Sequence, residues 1–519
     1  MTSNQGFIPA KWAALTPDAQ AIYDAPNERR VNWAELDERV RRAANGLRGL
    51  GLQHGDRVAV LARNCVEFQE LYFACGRVGL VLQPLNWRLS TGELTELIRD
   101  AAPRAVVTAA EWSEQAQQLQ RDCDVPHWLE FGESRDGSYE RLLAAAATDE
   151  PEGSDRIGGN DPFFILYTGG TTGRSKGALH THHSAATGGL NQTVAERIVP
   201  GDVYLLTGQM YHIPIVLSMN YLRHGCPLVL MNFEAESALR IIEQEKVSAF
   251  LGITTMLNWM MAVPGFSGYD LSSLRNIQYG GGPMPSSIVR AALDSFPCTL
   301  IQGYGQTEGP GMTFLSQEDH AEAAAGRNEH RLRSCGREGF AGMLRVLDEY
   351  GAEVPRDGRT PGQIAVRSDA NMIGYWNRPE LTAQTIRNGW MWTGDVATWD
   401  EQHYVYIVDR AKDMIISGGE NIYSVQVEEA VAAHPAVLEC AVIGVPDDEW
   451  GENVKAVVVL KPGTEATEQD IITTAKQHLA SYQKPKSVDF VASLPKAPTG
   501  KVMKRDLRTP YWADRERSV

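Results

Sequence analysis

A loop rich in glycine and hydroxyl residues, directly after a short apolar run, constrains this chain more than any other stretch. The apolar residues 163–166 predict a buried strand, and residues 167–177 hold four glycines and four Ser or Thr side chains. The amides of such a loop can approach a polyphosphate closely, and Lys176 adds a positive charge. We therefore expect a phosphate-binding loop rather than a simple connecting turn, with hydroxyl donors from Thr168, Thr171, Thr172 and Ser175.

This loop differs from the P-loop of nucleoside triphosphatases. A P-loop has glycine immediately before its lysine and Ser or Thr immediately after it. Here Ser175 precedes Lys176 and Gly177 follows it. The segment therefore predicts a phosphate site of another class.

Length and composition bound the remaining possibilities. A chain of 519 residues is too long for one ordinary core, so we expect at least two domains. Its 43% hydrophobic and 22% charged residues are typical of a soluble globular protein. The formal net charge of −16 argues against binding to nucleic acid, although local Lys and Arg can still attract an anionic substrate.

The cysteines and the apolar runs favour a cytoplasmic protein. The seven cysteines are scattered and show no CxxC spacing, which predicts buried structural thiols in a reducing compartment rather than a metal site. The N-terminus lacks a signal-peptide pattern. The uncharged runs 203–222 and 247–269 contain Gly, Pro and polar residues, so we expect core or pocket wall and no membrane span.

Helical and strand patterns alternate through the first third of the chain, which predicts an α/β domain with a largely parallel sheet. The first helix has Asn32 as its cap, and the polar segment 151–155 is expected to be a surface connection within one large domain. The predicted helices are 32–51, 65–78 and 91–100, and the predicted strands are 57–61, 80–82 and 105–108.

Two motifs in the middle of the chain are weak evidence for a binding site when taken alone. His212 lies in the uncharged segment 209–214, where a lone histidine is more often a structural core residue than a ligand. Three successive glycines at 280–282 follow a predicted strand and allow a ligand to lie directly against the backbone.

The segment 301–308 carries a stronger signal. The Tyr304 ring can stack on adenine, the Thr307 hydroxyl can bond a phosphate oxygen, and the Glu308 carboxylate can hold magnesium. The Gly-Tyr-Gly sequence at 303–305 is a poor fit to an ordinary strand end, which favours a binding segment.

Further polar motifs follow toward the C-terminus. The sequence 393–395 places Asp395 at a predicted turn, and Arg410 offers a fork of donors for ribose or phosphate. The last hundred or so residues predict a compact α+β unit, with helices at 424–433 and 467–479 and strands at 439–445 and 455–460. Lys496, Lys504 and Arg505 are expected to form a solvated basic face.

Taken together, these motifs resemble those of the adenylate-forming superfamily, which includes acyl-CoA synthetases, adenylation domains of peptide synthetases and firefly luciferase. They occur in the superfamily's order over essentially the whole chain. The resemblance implies a large N-terminal α/β domain, residues 1–411, with mixed and largely parallel sheets. It also implies a small mobile C-terminal α+β domain, residues 412–519, with the hinge at Lys412.

The resemblance also implies roles for individual residues. Lys501 would be catalytic together with Thr168, Glu308 and His212; Glu308 would hold Mg²⁺, and His212 would lie beside the substrate carboxylate. Asp395 would accept both ribose hydroxyls. The implied nucleotide-binding residues are Thr168, Gly169, Gly170, Thr171, Thr172, Lys176, Gly280, Gly281, Gly282, Gly303, Tyr304, Gly305, Thr307, Asp395, Arg410 and Lys501.

An acceptor channel and an acyl pocket are implied as well. Gly418 and Gly419 would line the channel, although Ser424 and Gln426 replace the Pro and Glu usual in the following segment. The expected pocket is apolar and suits an aromatic, alicyclic or medium-chain acid. Its candidate residues are Tyr211, Ile213, Val216, Ile253, Met256, Trp259 and Met284.

The implied activity is that of an ATP-dependent, AMP-forming ligase that converts a carboxylic acid to an acyl-adenylate and transfers it to coenzyme A. The expected cofactors are ATP, Mg²⁺ and coenzyme A, with no carrier domain in the chain. An amide ligase that uses an amine such as an amino acid is the main alternative. A nucleotide-binding regulator without turnover is a third possibility, against which Glu308 and Lys501 argue, and a carrier-loading domain is a lesser variant.

Overall fold

The computed structural model describes residues 4–132, 137–168, 175–282, 284–410, 412–418, 420–496 and 502–513. The chain divides into two compact units. The first consists of Met1–Leu344 and Val366–Met391, and the second of Arg345–Ala365 and Trp392–Val519. The sequence-based boundary at 411/412 concerns a hinge, and it stays a prediction.

Helices cover the sheets of the first unit and recur in the second. Those of the first unit are α1 (Ile8–Leu15), α2 (Trp33–Gly49), α3 (Val66–Val78), α4 (Thr91–Ala101), α5 (Ser113–Asp122), α6 (Ser138–Ala145), α7 (His182–Glu196), α8 (Pro214–Arg223), α9 (Ala235–Glu245), α10 (Thr254–Met261), α11 (Ser286–Ser295), α12 (Gln317–Ala324) and α13 (Pro379–Thr385). Those of the second are α14 (Ser424–Ala432), α15 (Glu468–Lys476) and α16 (Lys504–Trp512).

The strands before the middle of the chain are short and mostly buried. They are β1 (Gln20–Asp24), β2 (Arg29–Asn32), β3 (Arg57–Leu61), β4 (Val81–Leu85), β5 (Ala105–Ala109), β6 (His127–Phe131), β7 (Pro162–Thr168), β8 (Lys176–Thr181), β9 (Tyr204–Leu206), β10 (Leu228–Leu230), β11 (Ala249–Leu251) and β12 (Asn276–Gly280).

The later strands include the longest of the chain. They are β13 (Thr299–Gln306), β14 (Gly309–Leu315), β15 (Arg337–Glu338), β16 (Gly342–Leu347), β17 (Gly362–Ser368), β18 (Gly374–Tyr375), β19 (Ile386–Arg387), β20 (Trp390–Trp399), β21 (Val405–Arg410), β22 (Ile415–Ser417), β23 (Glu420–Ile422), β24 (Val437–Asp447), β25 (Gly451–Leu460) and β26 (Ser487–Phe490).

Two large sheets organise the first unit. One has the order β15–β14–β13–β12–β11–β9–β10–β1–β2, and the other β18–β8–β7–β4–β3–β5–β6. Their central pairs are parallel, and the pairs toward the β15, β2 and β18 edges are antiparallel. Parallel strands need both faces covered, which explains the continuous apolar runs of β3 and β5. The predicted mixed, largely parallel α/β fold is confirmed.

Smaller sheets complete the chain. One has the order β16–β17–β20–β19 with β21 paired to β20, and the other has the order β23–β22–β25–β24 with β26 paired to β25. The second of these packs against α14 and α15 through a core that includes Ile422, Val427 and Ile471. The predicted C-terminal α+β unit is thus present.

Several sequence predictions can be compared directly with these elements. The Asn32 side chain caps α2 by accepting a hydrogen bond from the Glu35 amide at 2.8 Å. The segment 151–155 is only partly a surface connection, because Ser154 is buried and donates to Glu150 at 2.8 Å. In the described part of the chain, no helix has the length and apolar character needed to cross a membrane. Five cysteines are buried, and Cys298 and Cys440 are partly buried.

Candidate functional site

The hairpin formed by β13 and β14 carries the strongest of the predicted motifs. Residues 303–305, whose sequence is a poor fit to an ordinary strand end, lie inside β13. The strand tolerates these glycines because β12 pairs with it on one side and β14 on the other. Tyr304 and Thr307 are both at least nine-tenths buried, and Glu308 lies at the turn of the hairpin.

Gly280 and Gly303 bring the triple-glycine motif against this hairpin. They are register partners on β12 and β13, and a Cβ added to Gly280 would lie 2.2 Å from the Gly303 carbonyl oxygen. Only glycine fits such a close approach of two backbones. Gly281 and Gly282 follow the end of β12 and face open space. The two predicted adenine-side motifs are therefore neighbours.

The predicted phosphate loop joins β7 to β8, which are antiparallel neighbours. Thr168 ends β7, Lys176 begins β8, and the two residues are register partners. Antiparallel pairing thus fixes both ends of the predicted loop at the same edge of the sheet. Four predicted phosphate-binding residues lie outside the described residues: Gly169, Gly170, Thr171 and Thr172.

Tyr375, which no sequence motif indicated, lies between Lys176 and Glu308. It lies on β18 beside β8, and its hydroxyl donates to Glu308 Oε1 at 2.7 Å. The Lys176 Nζ lies 5.3 Å from the centre of the Tyr375 ring. A tyrosine after a glycine is too common a pattern to have indicated this role. The structure thus brings Lys176 and Glu308 together through one phenol.

The buried His180 side chain is hydrogen-bonded to the backbone of the β13–β14 hairpin. His180 Nε2 lies 2.7 Å from the Thr307 carbonyl oxygen, which can only accept, so Nε2 carries the proton. Burial lowers the pKa of His180 to about 4, and the imidazole is therefore neutral at physiological pH. His180 holds the Thr307 backbone without adding charge to the site.

Asp100, at the end of α4, anchors the strand before the phosphate loop. Its carboxylate accepts from the Tyr167 hydroxyl at 2.7 Å and from Arg378 Nη2 at 2.8 Å. Its backbone carbonyl accepts from Trp376 Nε1 at 3.1 Å. One carboxylate residue therefore ties the start of the phosphate loop to the segment after Tyr375.

The predicted acyl-pocket residues differ in burial. Tyr211 and Val216 are buried, whereas Trp259 is 60% exposed and stacks on Phe233 with 6.4 Å between ring centres. Burial raises the pKa of Tyr211, and the charge of Arg88, together with a hydrogen bond between the two side chains, opposes this shift. The remaining pocket candidates are partly buried: Ile213, Ile253, Met256 and Met284. His212, predicted to lie beside the substrate carboxylate, is partly buried as well.

Asp395 lies within β20 and not at the turn expected from its Thr-Gly-Asp sequence. Gly394 has a φ of +74°, and the register between β20 and β21 shifts after Val396, so the strand accommodates a local distortion. Asp395 is the register partner of Arg410, whose Nε lies 3.2 Å from Asp395 Oδ1. The predicted ribose acceptor and the predicted donor fork are thus neighbours.

Gly418 is held against an aromatic side chain in the second unit. Its φ is +61°, its amide donates to the Trp450 carbonyl at 2.8 Å, and an added Cβ would lie 2.5 Å from the Trp450 ring. Glycine is required here for both conformation and space. The Lys412 carbonyl accepts from Arg508 Nη1 at 3.4 Å. Gly419 and Lys501 lie outside the described residues.

The expectation that Lys504 belongs to a solvated basic face is wrong, because its side chain is paired and mostly buried. Its ammonium is 2.7 Å from Glu428 Oε1 and 2.5 Å from Ser424 Oγ, and its side chain is 14% exposed. Lys496 and Arg505 are more exposed, and each lies beside an acidic side chain. The sequence could not show that a helix start would bury Lys504 against α14.

Comparison with known proteins assigns the chain to a family. The family profile described as AMP-binding enzyme matches residues 9–376. The chain belongs to the AMP-binding enzyme family. A second profile, AMP-binding enzyme C-terminal domain, matches residues 426–501. The predicted membership of the adenylate-forming superfamily is confirmed.

Relatives of this AMP-binding enzyme match it over nearly their full length. Feruloyl-CoA synthase of an Amycolatopsis species is 36% identical over 517 residues, which cover 98% of this chain and 99% of that protein. A long-chain-fatty-acid–CoA ligase of Mycobacterium tuberculosis is 34% identical over 515 residues, which cover 98% of this chain and 99% of that protein. The sequence-based prediction of an AMP-forming acid–thiol ligase is thereby confirmed.

A solved structure also matches the main alternative. The amide bond synthetase McbA from Marinactinospora thermotolerans superposes with a TM-score of 0.87 at 28% identity, covering 98% of this chain and 100% of that one. The fold of this AMP-binding enzyme is therefore shared by proteins named for thioester and for amide formation.

Proposed function

We propose that this AMP-binding enzyme activates an apolar, preferentially aromatic, carboxylic acid with ATP and transfers the acyl group to coenzyme A. The observation that carries the proposal is the convergence of Lys176, Tyr375 and Glu308 beside the buried Tyr304 and Thr307. A polyphosphate needs a cation and a metal-binding carboxylate close together, and an adenine needs an aromatic face beside them. The name of the feruloyl-CoA synthase relative supports an aromatic acid.

Magnesium fits the donors that are present. The described residues hold no group of three or more His, Cys, Asp or Glu side chains suited to a metal. Mg²⁺ usually binds through one or two carboxylates together with substrate phosphates and water, so Glu308 alone is a sufficient protein ligand. Bound there, the ion would offset the charge of the phosphates.

In the first half-reaction, a carboxylate oxygen of the acid attacks the α-phosphorus of ATP. The bond to the bridging oxygen breaks, and pyrophosphate leaves with its electron pair. A carboxylic acid is already ionised at neutral pH, so no general base is needed, and catalysis consists of positioning and charge stabilisation. We assign Lys176 and Thr168 to the β- and γ-phosphates, and Lys501 to the carboxylate and α-phosphate oxygens.

In the second half-reaction, the thiol sulfur attacks the acyl carbonyl carbon, AMP leaves, and the thiol proton passes to solvent. We assign this step to the channel at Gly418 and Gly419, which lie in the same unit as Lys501. A rotation at Lys412 would bring each group to the acyl-phosphate centre in turn. The scattered cysteines support a cytoplasmic location.

An amide ligase is the second candidate. It is favoured by the McbA likeness and by Ser424 and Gln426, which depart from the usual residues beside the predicted thiol channel. Ser424 interacts with Lys504, and Gln426 accepts from Gln483 at 3.3 Å, so both side chains are already engaged.

Mass spectrometry of reaction products tests both candidates. The enzyme, ATP and Mg²⁺ are incubated with hydroxycinnamic, benzoic, and medium- and long-chain fatty acids, with coenzyme A alone or with pooled amino acids alone. We expect acyl-CoA, AMP and pyrophosphate with an aromatic acid, and none of these with the Glu308→Gln variant. Acyl-amino acids without thioester would establish the amide ligase instead. Absence of AMP release with every acid would refute both.

A further inference from the structure

The segment that carries Tyr375 is fixed on several sides. The Trp376 amide donates to the Gly177 carbonyl at 2.8 Å, which pairs the segment with the strand that leaves the phosphate loop. The Tyr375 amide donates to Thr382 Oγ1 at 2.9 Å, and Arg378 is ion-paired with Asp100. The Tyr375 ring therefore projects from a backbone that cannot easily shift.

The phenol of Tyr375 makes two contacts of opposite electrostatic kind. Its hydroxyl donates to Glu308 Oε1 at 2.7 Å, and its ring lies 5.3 Å from Lys176 Nζ. A carboxylate can only accept a hydrogen bond, so the phenol is the donor in this contact. A ring at this distance attracts an ammonium group electrostatically.

The Tyr375 hydroxyl bonds only one of the two oxygens of the Glu308 carboxylate. Among the residues that the structure describes, only Tyr375 donates a hydrogen bond to this carboxylate, and it uses Oε1. An ionised carboxylate has acceptor sites on both oxygens. Among the described residues, no hydrogen bond to Oε2 accompanies the one to Oε1, so Oε2 can meet a hard cation.

We propose that Tyr375 is a positioning residue for the magnesium–nucleotide complex: its hydroxyl orients Glu308 for the metal, and its ring places Lys176 for the phosphates. This assignment rests on the function proposed above. Without the hydroxyl, the Glu308 side chain would have to be ordered at the moment of metal binding, which lowers affinity. Without the ring, the Lys176 ammonium would also lose its cation–π contact.

The two contacts can be separated by substitution. Tyr375→Phe removes the hydroxyl and keeps the ring, whereas Tyr375→Leu removes both. The ligand is α,β-methylene-ATP, which cannot be cleaved at the reacting bond, and its dissociation constant is measured calorimetrically with excess Mg²⁺ and with EDTA. This readout is independent of turnover.

We expect Tyr375→Phe to raise the dissociation constant in Mg²⁺ about tenfold, equivalent to about 1.4 kcal/mol, and to leave the value in EDTA unchanged. Tyr375→Leu should weaken binding in both conditions, by roughly threefold in EDTA for a partly exposed cation–π contact. Equal constants for Tyr375→Phe and wild type in Mg²⁺ would overturn the assignment.

Tyr221→Phe is the matched control. Tyr221 also donates to a glutamate, Glu196 Oε2, at 2.7 Å, but within the described part of the chain the hydrogen bonds of this buried pair include neither Lys176 nor Glu308. This variant should lower the thermal unfolding midpoint and leave both dissociation constants unchanged. A shift equal to that of Tyr375→Phe would show that the effect is a general loss of stability.

A double-variant comparison tests whether Tyr375 acts through Glu308. In the Glu308→Gln background, Tyr375→Phe should no longer shift binding in Mg²⁺, since the carboxylate that it orients is gone. A full tenfold shift in that background would contradict the proposal while leaving the proposed function intact. Failure of the wild type to bind the analogue with Mg²⁺ would overturn both.

Discussion

Replacing Glu196 by Gln is expected to change how the stability of the first unit depends on pH. Glu196 is 1% exposed at the end of α7, where it accepts from Gln192 Nε2 at 2.8 Å and lies 2.7 Å from the Tyr221 hydroxyl. Burial raises the pKa of Glu196 from its ordinary value of 4.5 to about 7, and the nearby Asp202 adds to the rise while Arg275 opposes it.

The direction in which stability changes with pH follows from proton binding in the folded and unfolded states. Below pH 4.5 the carboxyl is protonated in both the folded and the unfolded chain, and its contribution to stability is fully present. As the pH rises, the unfolded chain releases this proton first, and the contribution is lost by the time the pH passes about 7. At about 1.4 kcal/mol per pKa unit, the loss is about 3 kcal/mol.

Gln resembles the protonated carboxyl and cannot ionise. We therefore expect the free energy of unfolding of Glu196→Gln, relative to wild type, to improve by about 2.5 kcal/mol between pH 5 and pH 8, because part of the loss already occurs below pH 5. Urea denaturation at half-unit pH steps, followed by tryptophan fluorescence, measures this difference. Glu114→Gln, at an exposed position on α5, is the control and should give a constant difference. Parallel curves for wild type and Glu196→Gln would refute the argument.

Three further predictions concern the site and the second unit. Lys504→Met should destabilise the second unit by about 3 kcal/mol in urea, because Glu428 would keep an unpaired and largely buried charge; an equal loss for Lys496→Met, which breaks the more exposed pair with Glu439, would contradict this. Gly280→Ala should lower the calorimetric unfolding midpoint, with a cost of roughly 1–3 kcal/mol for overpacking against Gly303, whereas Gly282→Ala should leave the midpoint unchanged. Lys501→Ala should abolish acyl-adenylate formation and spare thioester formation from supplied adenylate, as followed by chromatography; equal loss of both halves would count against the assigned role.

Local patterns predicted the fold well where local physics decides the structure. The Asn32 cap, the strand Arg57–Leu61 and the helix that begins at Thr91 lie where the sequence placed them, because caps and apolar periodicity act over a few residues. Local preference was a poor guide to structure where distant strand pairing overrode it. The glycines around Tyr304 and the turn-like sequence before Asp395 were both drawn into strands by neighbouring strands.

The candidate site was predictable only in part for the same reason. Lys176, Tyr304 and Glu308 were recognisable from motifs, since each lies within a segment of unusual composition. Tyr375 and His180 have ordinary surroundings in the sequence, and their partners Glu308 and Thr307 are 67 and 127 positions away. Likewise, the burial of Lys504 depends on Glu428, which lies on another element.

The low reactivity of three native cysteines favours site-specific labelling of this protein. Burial raises the pKa of Cys226, Cys298 and Cys440 to about 12, so roughly one such thiol in ten thousand is ionised at pH 8. Only the thiolate reacts rapidly with alkylating dyes. A Leu438→Cys substitution, at a side chain 53% exposed in the second unit, would therefore react with a fluorophore much faster than these three thiols. Such a dye could follow the rotation proposed at Lys412 during a single turnover.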